Sequence, residues 1–229
     1  HYSRDNRYSI IKFELATDLT SYRIGRKLFE DSPWDAFFLY LPGLDGFQHH
    51  FYQFRFPSEF KSVDPDERRK YAESINAYYV FLDGLLAEML EGLDDETYLL
   101  IVSDHGIEAN PDYSPGEGRG YNQYASGIHT ETAPGVFILS GPDVRHHHEL
   151  RGVSVMDITP SVLALLALPV GEDMPGRVLS ELLSPEAAEG FAPERVPTYD
   201  LGYSPEIFES AAAADPRLLD RLRALGYFD

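Results

Sequence analysis

Ala36-Phe37-Phe38-Leu39-Tyr40-Leu41, stopped by Pro42-Gly43 and followed by Leu44-Asp45-Gly46-Phe47-Gln48-His49-His50, is the stretch on which the reading of the fold turns. Six apolar residues without alternation describe a strand covered on both faces, the pattern of a buried parallel sheet. Polar residues then arrive at the carboxyl end of that strand. The arrangement recurs where Thr97-Tyr98-Leu99-Leu100-Ile101-Val102 runs into Ser103-Asp104-His105-Gly106. A third apolar run, Gly135-Val136-Phe137-Ile138-Leu139, follows shortly after Ser126-Gly127-Ile128-His129-Thr130. Buried strands alternating with helical segments predict an α/β fold, a layered sandwich with a largely parallel central sheet flanked by helices.

Working outward, Ser9-Ile10-Ile11-Lys12-Phe13-Glu14-Leu15 has a partial two-residue alternation and reads as a half-buried strand, followed by a short helix from about Thr20 to Phe29. Asp64 is placed to cap a helix with Pro65 in its first turn, and Asp66 and Glu67 favour its dipole. Tyr71, Ile75, Tyr78, Leu82, Leu85 and Met89 recur at three- and four-residue steps as one apolar stripe along it. Thr159-Pro160 opens a short helix running to Ala167 and stopping before Pro169. Asp215-Pro216 begins a final helix that Gly226 closes. Residues 110–128, rich in Gly, Asn, Pro, Ser and Tyr, read as a long surface loop. With no internal repeat and no low-complexity linker, residues 1–229 read as a single domain.

Composition bounds the function. The chain has 229 residues, 43% apolar and 25% charged, and its 38 Asp and Glu against 19 Lys and Arg leave a net charge of −19. A surface that acidic repels phosphate backbones, so nucleic acid and anionic membranes are not expected as partners. There is no cysteine, which excludes disulfides, thiolate metal sites and thiol nucleophiles. No apolar run approaches the roughly 18 residues of a membrane span. His1-Tyr2-Ser3-Arg4-Asp5 offers neither an initiator Met nor a signal-peptide core, and the expectation is a chain that begins partway through a longer product.

Two Asp and three His are delivered to one sheet edge, where loops of α/β sheets gather ligands. Imidazole with carboxylate suits zinc, manganese or iron, and the absence of thiols argues against a structural zinc cluster. Each residue also has a plainer use. Asp104 can cap a turn, His105 can bond a carbonyl, and His129 can be an ordinary loop histidine. His146-His147-His148 reads as a solvated loop. Phe47, Phe51, Tyr52 and Phe54 either line a pocket or pack beneath the site, and Trp34 reads as core. The joint occurrence of three motifs, each at a strand edge, favours the metal.

Asp45–His49, Ser103-Asp104-His105-Gly106 and Gly127-Ile128-His129 resemble the metal-ligand motifs of the alkaline phosphatase superfamily, nearest its type I phosphodiesterase/nucleotide pyrophosphatase branch. Framework segments Ala133–Pro142, Met156–Ser161, Leu168–Arg177 and Leu222–Tyr227 are similar too, so the resemblance runs from about residue 30 to the C-terminus. It implies a metal-dependent hydrolase of small phosphate esters with two divalent ions, zinc foremost and manganese next, about 4 Å apart. By motif, Asp45, His49 and His129 would hold one ion, and Asp104 and His105 the other. The family's remaining Asp and its Thr or Ser nucleophile stand in an N-terminal segment ahead of these motifs. Thr17, Thr20 and Ser21 do not resemble that motif and read as a helix start. The missing N-terminal segment of the same protein is therefore the expected partner. Without it, a chain with five of the seven groups expected to touch the ions should be inactive. Related alternatives are a sulfatase, which needs a Cys/Ser-x-Pro-x-Arg segment, and a phosphoglycerate mutase, for whose insert the interval from His49 to Asp104 leaves little room. A non-catalytic scaffold lacking the nucleophile is the reading from another class. The resemblance favours an exported, periplasmic or extracellular protein.

Overall fold

A computed structural model of the chain describes residues 7–114, 125–130 and 132–200. Residues 1–5, 115–124 of the expected loop, and the expected helix from Asp215 to Gly226 lie outside the described residues. The chain divides into two compact units, residues 1–149 with 182–184, and residues 150–181 with 185–229.

The first unit opens on α1 (Arg7–Asp31), which corrects the expected strand at Ser9–Leu15 and absorbs the expected short helix. Its buried residues are Arg7, Ile10, Glu14, Asp18, Tyr22 and Gly25, spaced at three and four, so they form one helical face. Half of that stripe is polar, and this is why hydropathy alone misses its period. Thr17 and Thr20 lie within the helix rather than at its start. Their hydroxyls donate back to the carbonyls of Phe13 (2.9 Å) and Ala16 (2.7 Å).

Ala36–Leu41 pairs in no ladder among the described residues, and it is not covered on both faces. Phe37 and Leu39 are half-buried, whereas Phe38 and Tyr40 are 79% and 77% exposed. The inward side docks on the end of α1, where Phe37 meets Phe29 edge-on at 5.4 Å and Trp34 lies 5.0 Å from Phe29. Trp34 is thus half-buried in an aromatic satellite rather than in the main core.

The polar run after Pro42 is a helix, α2 (Gly43–Arg55), and not a loop. Phe47, Phe51 and Phe54 recur at four and three residues and form the core with Ile10, Ile75 and Tyr78. Phe47 stacks on Phe51, and Tyr78 packs on Phe47, both at 4.5 Å between ring centres. The aromatic run is packing. Burying three Phe side chains stabilises α2 by roughly 1.5–3 kcal/mol each. Asp45 and His49, four residues apart, share a different face of the same helix.

Asp64 caps α3 (Pro65–Tyr71) as the sequence predicts, its carboxylate accepting from the N–H groups of Asp66 (2.9 Å) and Glu67 (2.8 Å). The expected single helix is interrupted at Ala72-Glu73, and α4 (Ser74–Leu90) continues it. Ile75, Tyr78 and Leu85 are buried there, with Tyr71 and Leu82 packed beside the core.

β1 (Leu99–Val102) and β4 (Phe137–Ser140) are the strands expected at 97–102 and 135–139. They pair antiparallel, Ile101 facing Ile138. Between them β2 (Glu108–Ala109) and β3 (Gly127–Ile128) form a second antiparallel pair, Glu108 facing Ile128. A largely parallel central sheet is not seen among the described residues.

In the second unit, Ser154 and Asp157 make a reciprocal capping box ahead of α5 (Ile158–Leu165), within a residue or two of the predicted span. Burial works to raise the Asp157 carboxyl, but the backbone N–H groups of Arg177 and Ser154 hold it below its ordinary value. β5 (Val170–Gly171) and β6 (Arg195–Val196) pair in parallel, with α6 (Pro185–Gly190) between them in sequence.

Candidate metal centre

The site is built on the first two turns of α2. The backbone N–H of Gly43 would be an orphan at the helix start, and the carboxylate of Asp18 on α1 accepts it at 2.8 Å. The Tyr78 hydroxyl donates to the other oxygen of Asp18, also at 2.8 Å. Asp18 is 0% exposed, and burial pushes its carboxyl up while these two donors oppose the shift. A Cβ at position 43 would collide with Tyr78 Oη and the Asp18 carboxylate, so only glycine fits there. The arrangement fixes the turn that carries Asp45.

One turn later, His49 Nδ1 donates to the carbonyl of Gly127 at 2.7 Å. A carbonyl can only accept, so Nδ1 carries the proton and Nε2 keeps its lone pair. That Nε2 lies 2.9 Å from His129 Nε2 and 3.4 Å from Asp45 Oδ1. His129 Nε2 is 2.9 Å from the same Asp45 oxygen. Burial lowers the His49 pKa, Asp45 and the Gly127 carbonyl counter it, and His129 and His105 add to the lowering. His49 is accordingly neutral at pH 7. Its ring is mostly buried, while Asp45 and His129 are each about half open to solvent.

His129 follows β3, and a small network closes the turn behind it. The hydroxyls of Thr130 (2.7 Å) and Thr132 (3.1 Å) donate to Glu108, which faces β3 across the ladder. The N–H of Ala133 donates to Thr130 Oγ1 at 3.2 Å.

Of the five residues expected from the sequence, Asp45, His49 and His129 therefore converge at one point. Among the described residues they form a group whose ligand atoms all lie within 4.8 Å of one another. His105 comes beside them, its ring centre 3.8 Å from that of His129. Its Nε2 lies 3.5 Å from Asp104 Oδ1, and Asp104 is 72% exposed. His146, His147 and His148 are exposed in the segment after β4.

The donor set fits a divalent ion. Three ligands on a tetrahedral ion with bonds of about 2.0–2.1 Å stand about 3.4 Å apart, and the observed edges are 2.9, 2.9 and 3.4 Å. Two imidazole nitrogens and one carboxylate oxygen suit zinc or manganese. Sequence reading missed the supports: Asp18, Tyr78, Glu108 and the Gly127 carbonyl. Only Gly127 gave a signal, by its position within the Gly127-Ile128-His129 motif.

GPI ethanolamine phosphate transferase 3 of Eremothecium gossypii is 23% identical to this chain over 157 residues. The aligned region covers 67% of this chain, which spans 14% of that relative's length. No solved structure matches. The family match begins ahead of α1, earlier than the motifs indicate, and ends before the segments at Leu168–Arg177 and Leu222–Tyr227. Residues 4–164, which hold all five candidate ligands, match the model of type I phosphodiesterase / nucleotide pyrophosphatase, and the chain belongs to that family, within the alkaline phosphatase superfamily.

Proposed function

We propose that this chain is the ion-holding part of an enzyme that cleaves phosphoesters of small molecules, with Asp45, His49 and His129 holding one divalent cation and Asp104 and His105 contributing to a second. The observation that carries the reading is the convergence of His49 Nε2, His129 Nε2 and Asp45 Oδ1 at 2.9–3.4 Å. Zinc is the foremost ion and manganese the second. Bound there, the ions would supply Lewis-acid neutralisation of phosphate oxygens and a lowered pKa for the attacking hydroxyl.

The chain's own residues bind and orient. His49 presents an unprotonated nitrogen held in place by Gly127, and the half-exposed Asp45 and His129 leave the site open to a ligand from solvent. The remaining carboxylate and the nucleophile are assigned to a segment ahead of residue 1. In support, the hydroxyls of Thr17 and Thr20 are engaged with α1 carbonyls, and those of Thr130 and Thr132 with Glu108. Among the described residues no helix is long and apolar enough to cross a membrane. Export to the periplasm or the cell exterior is proposed on the family resemblance.

The relative's name favours a second reading, in which the phosphoryl-containing group passes to an acceptor hydroxyl rather than to water. Turnover of bis-nitrophenyl phosphate separates these possibilities. Residues 1–229 alone should be slow or inert, since losing a nucleophile costs several orders of magnitude in rate. The longer gene product should show turnover that EDTA abolishes and added zinc or manganese restores. Asp104→Ala and His105→Ala should each remove it. Stimulation by added alcohols, with the ester product recovered, would favour the transferase. Robust EDTA-sensitive turnover by residues 1–229 would contradict the upstream nucleophile. An inert longer protein across diesters, monoesters and phosphonates would contradict the enzyme reading.

A further inference from the structure

Ser126 is 0% exposed, and its hydroxyl sits at α2 between two groups that helical geometry pairs with each other. Oγ accepts from the N–H of Gln53 at 3.2 Å and donates to the carbonyl of His49 at 3.3 Å. The next residue, Gly127, receives the ring of the same histidine at 2.7 Å. One dipeptide thus grips His49 by its main-chain carbonyl, by the N–H one turn on, and by its imidazole.

The grip is itself anchored. The N–H of Asn110 donates to the Ser126 carbonyl at 2.9 Å, and its side-chain amide donates to the Ala125 carbonyl at 3.0 Å. A Cβ at Gly127 would stand 3.0 Å from the Gln48 carbonyl and 2.7 Å from Ile107 Cγ2, so β3 approaches α2 this closely only with glycine there.

The helix does not need a hydroxyl here: α2 runs unbroken from Gly43 to Arg55, so its geometry already pairs the His49 carbonyl with the Gln53 N–H, and burying a further hydroxyl has a cost. An alanine would fill nearly the same volume. We infer that Ser126 is a positioning residue for His49, setting the distance between α2 and β3 at which the Gly127 carbonyl holds the ring with Nε2 facing His129 and Asp45. The inference rests on the proposed role of His49 as an ion ligand.

The test uses cobalt(II) as the probe, with three readouts: the cobalt dissociation constant, the melting temperature of the metal-free protein, and the imidazole ¹⁵N shifts that report the His49 tautomer. His49→Gln assigns the resonances. Wild type should show His49 protonated at Nδ1 before metal is added. Ser126→Ala should melt within a few degrees of wild type, lose part of that tautomer, and bind cobalt about tenfold more weakly, the lower end of the cost of removing a ligand's own hydrogen-bond partner, since Ser126 acts through Gly127. Ser161, a buried serine whose hydroxyl accepts from Leu179 N–H at 3.0 Å, is the control, and Ser161→Ala should leave cobalt binding unchanged. Wild-type cobalt affinity in Ser126→Ala would overturn the inference. So would a wild-type His49 protonated at Nε2, or a Ser126→Ala chain that fails to fold, which would make Ser126 a structural residue. Wild type that binds no cobalt would contradict the ion site of the proposed function, and the tautomer readouts then decide on Ser126 by themselves.

Discussion

A histidine that is to offer Nε2 to a cation must dispose of its other nitrogen, and His49 does so on a backbone carbonyl. The consequence is measurable in the metal-free protein. Burial makes the folded state reject a proton that the unfolded chain accepts near pH 6.5. The unfolded state then binds more protons, so stability is full above about pH 6.5 and is lost as pH falls below it toward the depressed folded value. Urea denaturation at pH 7.5 and 5.5 should show this loss in wild type and a shallower one in His49→Gln. Equal slopes would mean that His49 is not protected from protonation. At this scale the sequence was informative: Asp45, His49 and His129 were legible because motif spacing records side-chain identity. The supports Asp18 and Glu108 are not legible, because no motif spacing ties them to the ligands and the fold alone brings them to Gly43 and Thr130.

At the scale of elements, α2 depends on α1 through Asp18. Truncating Asp18→Ala strands two buried donors, Gly43 N–H and Tyr78 O–H, at about 1–3 kcal/mol each. The expected loss is therefore about 2–6 kcal/mol in chemical denaturation, and metal affinity should weaken with it as the Asp45 turn frays. A loss below about 0.5 kcal/mol would show that the first turn of α2 holds without Asp18. The pH signature runs opposite to that of His49. The Asp18 carboxyl is raised in the folded state, so its contribution is full below the unfolded pKa of about 3.9 and is lost as pH rises through the folded value. Asp18→Asn should flatten that decline as pH rises above about 3.9. The same residue explains why hydropathy does not reveal α1. Glu14 and Asp18 occupy its buried stripe, so the hydropathic period is broken on the face that packs. Ala36–Leu41 misled in the opposite direction. Its hydropathy is uniform, yet Phe38 and Tyr40 face outward, and nothing in an apolar run specifies how many of its faces will be covered.

For the whole molecule, the net charge of −19 belongs to the surface, since the five candidate ligands supply only two carboxylates, Asp45 and Asp104. The sequence located β1 and β4 correctly but could not give their direction. They pair antiparallel, with the antiparallel pair β2 and β3 between them in sequence, and an apolar run carries no record of pairing sense. An ion held by the folded state alone should raise its stability by RT ln(1 + [ion]/Kd), about 2.7 kcal/mol at a hundred times Kd. Zinc should therefore raise the melting temperature of wild type and leave that of His129→Ala nearly unmoved. Whether Asp45, His49 and His129 hold a divalent cation is decided by elemental analysis after equilibration with zinc and removal of free ion. Wild-type residues 1–229 should retain close to one zinc per chain, and Asp45→Ala, His49→Ala and His129→Ala should each lose most of it. Wild-type zinc content in all three variants would show that these residues do not hold the ion.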